Sequence, residues 1–211
     1  MEKSFLREVL NWMKEQDSIE VAVFFNEVPV KAKLKVLDID YERKQIIWSF
    51  NEKLRIPLLD NRVIYFKYRN DIFIATVIIH DDKEMVTSFP TLALEPKLNR
   101  RYVRVTTSPE NPAFLIIDGK KYPIEDISEA GIGIILPSDI GLKEGEEKEM
   151  ELELKGTVFD IKGKIVYIKD QGNNLIRVGI KLLDIPNRVR NQIVKYVFER
   201  QRDIAKKITM F

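Results

Sequence analysis

Residues 113–137 read AFLIIDGKKYPIEDISEAGIGIILP, and this stretch decides the fold of the second half of the chain. Three runs in it, 113–118, 121–128 and 131–137, are rich in β-branched and aromatic residues. The turn signal Gly119-Lys120 separates the first two runs. Apolar runs of this length bounded by turn residues predict β-strands.

The same pattern continues on both sides of this stretch. Further strands are predicted at 104–108, 147–155, 158–169 and 175–183, with a turn at Gly172-Asn173. Short strands at regular spacing favour a small barrel or a sandwich. A helix is predicted over 186–208, because Pro186 suits a first helical turn and apolar residues recur at helical spacing. These apolar positions are Val189, Ile193, Val197, Ile204 and Ile208.

The first half of the chain is also rich in strand patterns. Residues 2–16 carry apolar side chains at helical spacing and predict a short amphipathic helix. After it, six strands are predicted at 19–25, 30–40, 44–50, 62–68, 71–79 and 84–89. Asn26-Glu27 and Arg69-Asn70 are predicted hairpin turns.

The periodicity lapses between the two halves. Residues 90–98, PTLALEPKL, have neither a strand nor a helix period, and two prolines bracket most of the segment. We interpret it as a linker and expect two domains, residues 1–95 and 96–211. The fold class is therefore mainly β, with two barrel-like domains and a C-terminal helix that closes the second.

Composition excludes several classes of protein. The 211 residues are 45% apolar and 32% charged, which excludes a disordered chain. With no Cys and one His, the chain has no disulfides, thiolate metal site or Cys nucleophile, and no mechanism that needs two histidines. No apolar run approaches the ~20 residues of a membrane span, and the charged N-terminus is no signal peptide. We expect a cytoplasmic protein without membrane insertion.

Two short motifs carry the candidate chemistry. Arg100 and Arg104 form an R-x-x-x-R pattern where the linker meets the first strand of the second domain. Asp126, Ser128 and Gly131 form a D-x-S-x-x-G pattern between two strands of that domain. Alone, the first motif is typical of a solvated surface run and the second of a turn that bonds its own backbone. Together, in this order on a small β-domain, they indicate a ligand site.

With these motifs the sequence resembles the PilZ family of receptors for the bacterial second messenger cyclic di-GMP. The resemblance covers residues 97–205 and includes GIGIIL, GKIVYI, RVGIKLLDI and the terminal helix IVKYVFERQR. By the arrangement of its strands, the region ahead of it resembles the N-terminal domain of the YcgR-type flagellar brake proteins.

The resemblance implies a binding role for both motifs. It implies that Arg100 and Arg104 hold the phosphates and one guanine edge, and that Asp126 and Ser128 read the other edge. These residue types suit the ligand, since Arg pairs bidentately with phosphate or with guanine O6 and N7. A carboxylate accepts from guanine N1–H and N2–H, and Gly131 would let the backbone approach closely.

Two neighbours of the arginine motif rank below these residues. Arg101 lies between the two motif arginines, and Asn99 directly precedes the first. Both are included as secondary ligand-binding candidates. No catalytic residue, metal ligand or cofactor is expected.

Other motifs are rejected on their spacing. His80-Asp81 would need further histidines to form a phosphohydrolase metal site, and His80 is interpreted as a surface residue at a strand end. Gly163-Lys164 lacks the spacing and the Ser or Thr of a phosphate-binding loop. Two alternatives stay open: a small barrel that binds RNA through its basic turn, and a PilZ scaffold that no longer binds nucleotide.

The expected function is signal reception without catalysis. Cyclic di-GMP would order the linker and re-orient the domains, which is a common switching mode. The output would be a contact with a protein such as a flagellar motor component, or control of biofilm and exopolysaccharide. The protein is expected to be a monomer or homodimer and to bind no nucleic acid.

Overall fold

The computed structural model describes residues 3–93 and 100–209. By its internal contacts the chain divides into two compact units, Met1–Arg100 with Lys207–Phe211, and Arg101–Lys206. Each unit is built mainly from antiparallel strands, which confirms the predicted mainly β fold. The boundary predicted between residues 95 and 96, like most of the predicted linker, lies outside the described residues and stays a prediction.

The first unit is one curled sheet with a helix before its first strand. In the sheet the order of neighbours is β2-β1-β5-β6-β7-β4-β3, and β8 pairs with β6. Its helices are α1 (Lys3–Glu15) and α2 (Arg55–Asp60), the latter preceded by a 3-10 turn at Glu52–Leu54. Its strands are β1 (Ile19–Phe25), β2 (Val28–Leu34), β3 (Val36–Asp40), β4 (Gln45–Ser49), β5 (Val63–Tyr68), β6 (Asp71–His80), β7 (Glu84–Ser88) and β8 (Thr91–Leu92).

An aromatic and aliphatic core fills the first unit. The helical stripe of α1 buries Val9, Leu10 and Met13 in it, as the sequence predicts. Trp48 is fully buried, and its indole Nε1 donates to Thr87 Oγ1 over 2.9 Å. The one polar group of this large side chain is thus satisfied without water.

Three predictions for the first unit are wrong in detail. The strand predicted over 30–40 is two strands, which are interrupted at Lys35, and the carbonyl of Lys35 accepts from the backbone of Ser49. Residues 52–60 are helical, although no element was predicted there. The predicted linker includes a short strand, since Leu92 pairs with Phe73 of β6.

The second unit is a closed barrel of six strands. Neighbours follow the order β10-β13-β14-β15-β12-β11, β11 pairs back with β10, and β9 adds to β11 outside this ring. The strands are β9 (Arg104–Thr106), β10 (Ala113–Ile117), β11 (Lys120–Ser128), β12 (Gly131–Pro137), β13 (Glu147–Leu154), β14 (Thr157–Gly172) and β15 (Leu175–Leu183). The predicted strands are therefore confirmed, with shifts of up to three residues at their ends.

Hairpin turns set the strand register in both units. Asn26 and Glu27 both have positive φ, which confirms the turn predicted between β1 and β2. The turn predicted at Arg69-Asn70 is confirmed as well, since these two residues join β5 to β6 and Arg69 has positive φ. The two remaining turns lie one residue from their predicted places. Asp118 and Gly119 make the turn between β10 and β11, and Asn173 and Asn174 the one between β14 and β15.

Helix α3 (Asn187–Thr209) follows β15 after a three-residue connection, and its residues up to Lys206 belong to the second unit. Its stripe buries Val189, Ile193, Val197 and Ile204, as the sequence predicts. Two polar side chains on the same face were not predicted to be buried. The Tyr196 hydroxyl donates to the carbonyl of Asn111, and the Arg200 guanidinium donates from Nε to the carbonyl of Thr106 over 2.9 Å.

The helices have a composition far from that of membrane spans. Within residues 3–93 and 100–209, none combines the length and the apolar character that crossing a bilayer requires.

Candidate ligand site

The first motif residue, Arg100, ends the segment Met1–Arg100 of the first unit. Its guanidinium donates to the carboxylate of Glu27, in the turn between β1 and β2. The side chain keeps a third of its surface exposed. The structure thus pairs Arg100 with an acid of the first unit.

The two secondary candidates differ in what the structure says of them. Arg101 is exposed, and its guanidinium lies over the ring of Tyr102, 5.4 Å from the ring centroid. An exposed cation on an aromatic face stays available to an anionic ligand. Asn99 lies outside the described residues.

The second motif arginine, Arg104, begins strand β9 and lies opposite Ser128 of β11. Its guanidinium Nη1 lies 3.0 Å from Asp126 Oδ1. The structure therefore brings residues of the two motifs into contact, as expected from their combination in one sequence.

Asp126 is the buried charge of this site. Only 3% of the residue is exposed, and two arginines from different strands flank its carboxylate. Besides Arg104 on β9, Arg177 on β15 donates from Nη2 to Asp126 Oδ2. A buried carboxylate requires such partners, because an isolated buried charge is very costly.

The two carboxylate oxygens of Asp126 are not equivalent. Oδ2 accepts the hydrogen bond of Arg177. Oδ1 is close enough to Arg104 for an ion pair, but among the described residues it receives no hydrogen bond of acceptable geometry. A short contact that is misaligned is weak as a hydrogen bond. Oδ1 is therefore an acceptor with unused capacity.

Ser128 is buried in its own turn. Its hydroxyl oxygen accepts from the backbone N–H groups of Ala130 and Gly131 over 3.3 and 3.1 Å, and it donates to the carbonyl of Gly131 over 3.3 Å. This is the backbone-bonding turn that the second motif forms when taken alone. Without ligand, the structure gives Ser128 the role of fixing the end of β11 beside Asp126.

Gly131 permits a close approach between strands. A Cβ atom at this position would lie 2.7 Å from the carbonyl oxygen of Ile180 on β15, which is too close for any side chain. In the structure Gly131 thus permits the close approach of β15, and its approach to a ligand stays a prediction.

Two further glycines shape the site and were not predicted. Gly133 of β12 and Gly179 of β15 lie directly opposite each other. A Cβ on Gly133 would lie 2.5 and 2.7 Å from the Asp126 oxygens and 2.8 Å from Arg177 Nη2. A Cβ on Gly179 would overlap the ring of Tyr167. The paired glycines therefore make room for the Asp126–Arg177 pair and for Tyr167.

These residues form one row across the barrel wall. The register runs Asp126, Gly133, Gly179, Tyr167 over β11, β12, β15 and β14. Directly opposite residues of antiparallel strands share a face of the sheet. The row therefore presents a carboxylate at one end, an aromatic ring at the other, and bare backbone between them.

The neighbouring row on the same wall is cationic. Arg104 faces Ser128, Ser128 faces Gly131, and Gly131 faces Lys181, which in turn faces Lys164 of β14. Lys164 and Lys181 are both exposed. Cations above a side-chain-free floor favour an anionic ligand that lies flat against the backbone.

Arg177 keeps its charge at this position. Burial disfavours the cation, but the charge of Asp126 and hydrogen bonds with Asp126 and Tyr167 outweigh it and raise the pKa of Arg177 above its ordinary value. Sequence reasoning missed this residue. In the sequence, Arg177 is marked only as a cation next to apolar positions in RVGIKLL. Other predicted strands carry cations in similar positions, so this pattern does not single it out.

Other candidates from the sequence form no ligand site. His80 ends β6, as predicted, but its ring is half-buried and stacks on Phe50 with the ring centroids 4.8 Å apart. Within the described parts of the chain, acidic residues and the single histidine nowhere cluster as three or more potential metal ligands.

The fold and the site define a class: a small closed β-barrel whose wall offers cations, a buried carboxylate acceptor and a glycine floor. Residues 98–199 match the family model of the PilZ domain. The chain belongs to the PilZ-domain proteins, which confirms the resemblance seen in its sequence.

Relatives cover nearly the whole chain. An uncharacterized protein of Aquifex aeolicus (strain VF5) is 31% identical over 195 residues, covering 89% of this chain and 98% of its own. A second protein of that organism is 27% identical over 216 residues, 93% of each chain. These matches span both units, so the first unit is part of the related sequences too.

Solved structures show a similar fold. MrkH of K. pneumonia in complex with c-di-GMP has a TM-score of 0.51 at 13% identity, covering 98% of this chain and 97% of MrkH. YcgR of Escherichia coli in complex with c-di-GMP has a TM-score of 0.47 at 17% identity, covering 96% and 92%. At such identities the MrkH likeness concerns the fold alone.

Proposed function

We propose that this protein is a receptor for cyclic di-GMP and that the dinucleotide binds to the wall of the barrel at Asp126. The observation that carries the proposal is the buried Asp126 carboxylate between two arginines, on a glycine floor within a PilZ domain. The MrkH structure, a complex with c-di-GMP, supports the same ligand class. Signal reception needs no catalytic step.

The Asp126 carboxylate suits one edge of guanine. Guanine N1–H and N2–H point the same way, and an ionised carboxylate has about four lone-pair sites to accept them. Oδ1 carries no well-aligned hydrogen bond in the described structure, so it can accept one from the base. Adenine presents an acceptor at N1 and would be repelled by the carboxylate.

The cations suit the rest of the ligand. Cyclic di-GMP carries two phosphodiester charges, which Arg104 and Arg100 would hold, with Ser128, Gly131, Arg101 and Asn99 as further proposed contacts. To do so, Arg104 must turn from Asp126 toward the phosphate, and Arg100 must leave Glu27. Both arginines would therefore exchange an internal acid for the ligand.

The consequence of binding is proposed to be a switch. Arg100 and Arg104 fall in different units by internal contacts, with three residues between them. One ligand held by both would order this segment and change the arrangement of the units. The output is proposed to be a protein contact that restrains motility, as in a flagellar brake, or one that controls exopolysaccharide.

Calorimetric titration with cyclic di-GMP and cyclic di-AMP tests the proposal. We expect wild type to bind the guanine dinucleotide and to prefer it over the adenine one. Arg104→Ala should weaken binding at least 30-fold, because losing one partner of a desolvated charge pair costs ~2–5 kcal/mol. Arg188→Ala on the exposed start of α3 is the matched control and should bind as wild type does.

Two results would contradict the proposal. Absence of binding by wild type would leave a PilZ scaffold without nucleotide. Equal affinity for both dinucleotides would remove the role of Asp126 in reading the base. A parallel titration with single-stranded RNA at two salt concentrations separates general anion binding from a specific site.

The switch has its own measurement. Ligand should slow amide exchange at residues 100–104 and change the radius of gyration seen by small-angle scattering. A ligand at ~100 times its dissociation constant stabilises the bound form by ~2.7 kcal/mol, which suffices to invert a 1:9 equilibrium. Bound protein with unchanged exchange and unchanged scattering would refute the switch and leave the binding intact.

A further inference from the structure

We propose that Arg177 is a positioning residue, which holds the Asp126 carboxylate in the orientation that selects guanine. The inference rests on the proposed function and adds to it a residue outside both sequence motifs. Arg177 acts through Asp126 and makes no ligand contact in this proposal.

The two arginines on Asp126 are held very differently by the fold. Arg177 lies in the nine-residue strand β15, and its neighbours Ile135 of β12 and Lys169 of β14 pair with it on both sides. Arg104 begins the three-residue strand β9, which pairs with β11 on one side. The backbone that carries Arg177 is thus fixed, and the backbone that carries Arg104 is much less constrained.

The side chain of Arg177 is also held at more than one point. It donates to Asp126 Oδ2 and interacts electrostatically with Tyr167, whose ring fills the space above Gly179. Gly133 has no side chain to push between Arg177 and Asp126. These contacts leave Arg177 little freedom to follow a ligand.

Because of this difference, the two arginines have different roles in the proposal: Arg104 moves to the ligand and Arg177 stays on Asp126. When Arg104 turns to a phosphate, the carboxylate keeps Arg177 as its partner within the barrel wall. Oδ2 stays tethered, so the direction in which Oδ1 points is fixed before the base arrives. Orientation set in advance favours the base whose two N–H groups match it.

The opposite assignment makes a different prediction. If Arg177 instead bound phosphate or stacked on a base, its removal would weaken binding of guanine and adenine dinucleotides alike. Its effect would also persist in a protein that lacks the Asp126 carboxylate. Selectivity and a double-mutant cycle therefore separate positioning from direct contact.

The experiment titrates wild type, Arg177→Ala, Arg177→Lys, Asp126→Ala and the Asp126→Ala/Arg177→Ala double variant with cyclic di-GMP and with cyclic di-AMP. Arg177→Ala should bind cyclic di-GMP at least 10-fold more weakly, with less than threefold change for cyclic di-AMP. Arg177→Lys, which keeps the charge and a donor, should recover part of the lost selectivity. In the Asp126→Ala background, the second substitution should change affinity less than threefold.

Folding is checked by the melting temperature of each variant, with Arg188→Ala as the control for loss of an exposed arginine. If Arg177→Ala does not fold, Arg177→Lys decides. The ratio of its affinity for cyclic di-GMP to its affinity for cyclic di-AMP must then be lower than the same ratio in wild type. A selectivity within threefold of wild type in every folded Arg177 variant overturns the inference alone. A loss that persists without Asp126 also overturns it. Wild type that binds neither dinucleotide overturns the proposed function, and this inference with it.

Discussion

The two units of the chain differ in what they bury. Apart from tyrosine and tryptophan, whose rings are mostly apolar, the described residues of the first unit include one buried polar side chain, Thr87, which accepts from Trp48. The second unit buries Asp126, Ser128 and Arg200. Both units are antiparallel and mainly β, so the fold class alone does not require buried charge.

The buried polar groups of the second unit fall into two kinds. Ser128 and Arg200 are bonded to backbone groups and hold a turn and a helix in place. Asp126 depends on side chains from two other strands and keeps one oxygen without a hydrogen bond. The comparison shows that a buried charge indicates a candidate site when its partners are side chains that can turn from it to a ligand.

The largest expected effect tests the apolar core of the first unit. Phe66 is 1% exposed and packs against Trp12, Trp48 and Phe73. Phe66→Ala should lower the free energy of unfolding by about 3–5 kcal/mol through lost burial and a cavity. Both tryptophans of the chain lie in this unit, so urea unfolding followed by their fluorescence reports on it.

The matched control for Phe66→Ala is Leu59→Ala, at a side chain that is 71% exposed. Leu59→Ala should change the free energy of unfolding by less than about 0.5 kcal/mol. Equal effects of the two substitutions would show that the packing of the first unit is not as described.

A smaller effect separates Arg200, which is buried, from Arg177, whose side chain keeps 28% of its surface exposed. Arg200→Met removes the hydrogen bond to the carbonyl of Thr106 and should destabilise this unit by about 1.5–3 kcal/mol. Because Arg200 serves structure, selectivity for cyclic di-GMP over cyclic di-AMP should stay within threefold of wild type. Hydrogen exchange of peptides from residues 101–206 measures the first quantity, and calorimetry the second.

If Arg200→Met lost its selectivity while its protection from hydrogen exchange stayed unchanged, Arg200 would not have the structural role described here. Arg177→Lys is the counterpart variant, with selectivity reduced and protection largely kept.

The smallest effect concerns Tyr196 and depends on pH. Tyr196→Phe removes the hydrogen bond to the carbonyl of Asn111 and should cost about 1 kcal/mol at pH 7. Burial raises the pKa of Tyr196 to about 12. Above pH 10 the unfolded chain ionises this tyrosine while the folded chain does not, so stability of wild type falls as pH rises toward 12.

Denaturant unfolding at pH 8, 10 and 11 checks this prediction. The advantage of wild type over Tyr196→Phe should be constant from pH 8 up to the ordinary tyrosine range and narrow above it. A difference that stays constant through pH 11 would mean that Tyr196 ionises equally in both states.

Much of the fold could be predicted from turn chemistry and periodicity. β1, β12 and β15 have the predicted bounds, since turn residues or a break in the apolar pattern mark both ends. The helix at residues 55–60 could not be predicted, because it is short and contains Pro57, so it shows no helical period. The interruption between β2 and β3 at Lys35 could not be predicted, because the alternating pattern continues through it.

The site was predictable only where its residues are close in sequence. Spacing within each motif brought out Arg104 and Asp126, which the structure places in contact. Arg177 joins them through the register of β15 against β12, which depends on long-range pairing that sequence periodicity does not specify. Gly133 was seen in the sequence, but its function depends on the partner strand.

The site depends on the absence of side chains at Gly133 and Gly179, which face each other on neighbouring strands. Alanine at either position would be compatible with a β-strand and with both motifs, yet the added methyl would displace the carboxylate–arginine pair or the Tyr167 ring. A barrel could thus keep its motifs and lose its binding surface through a single small substitution. Among proteins of this architecture, the two glycines offer a test of which barrels retain the same surface, independent of the motifs themselves.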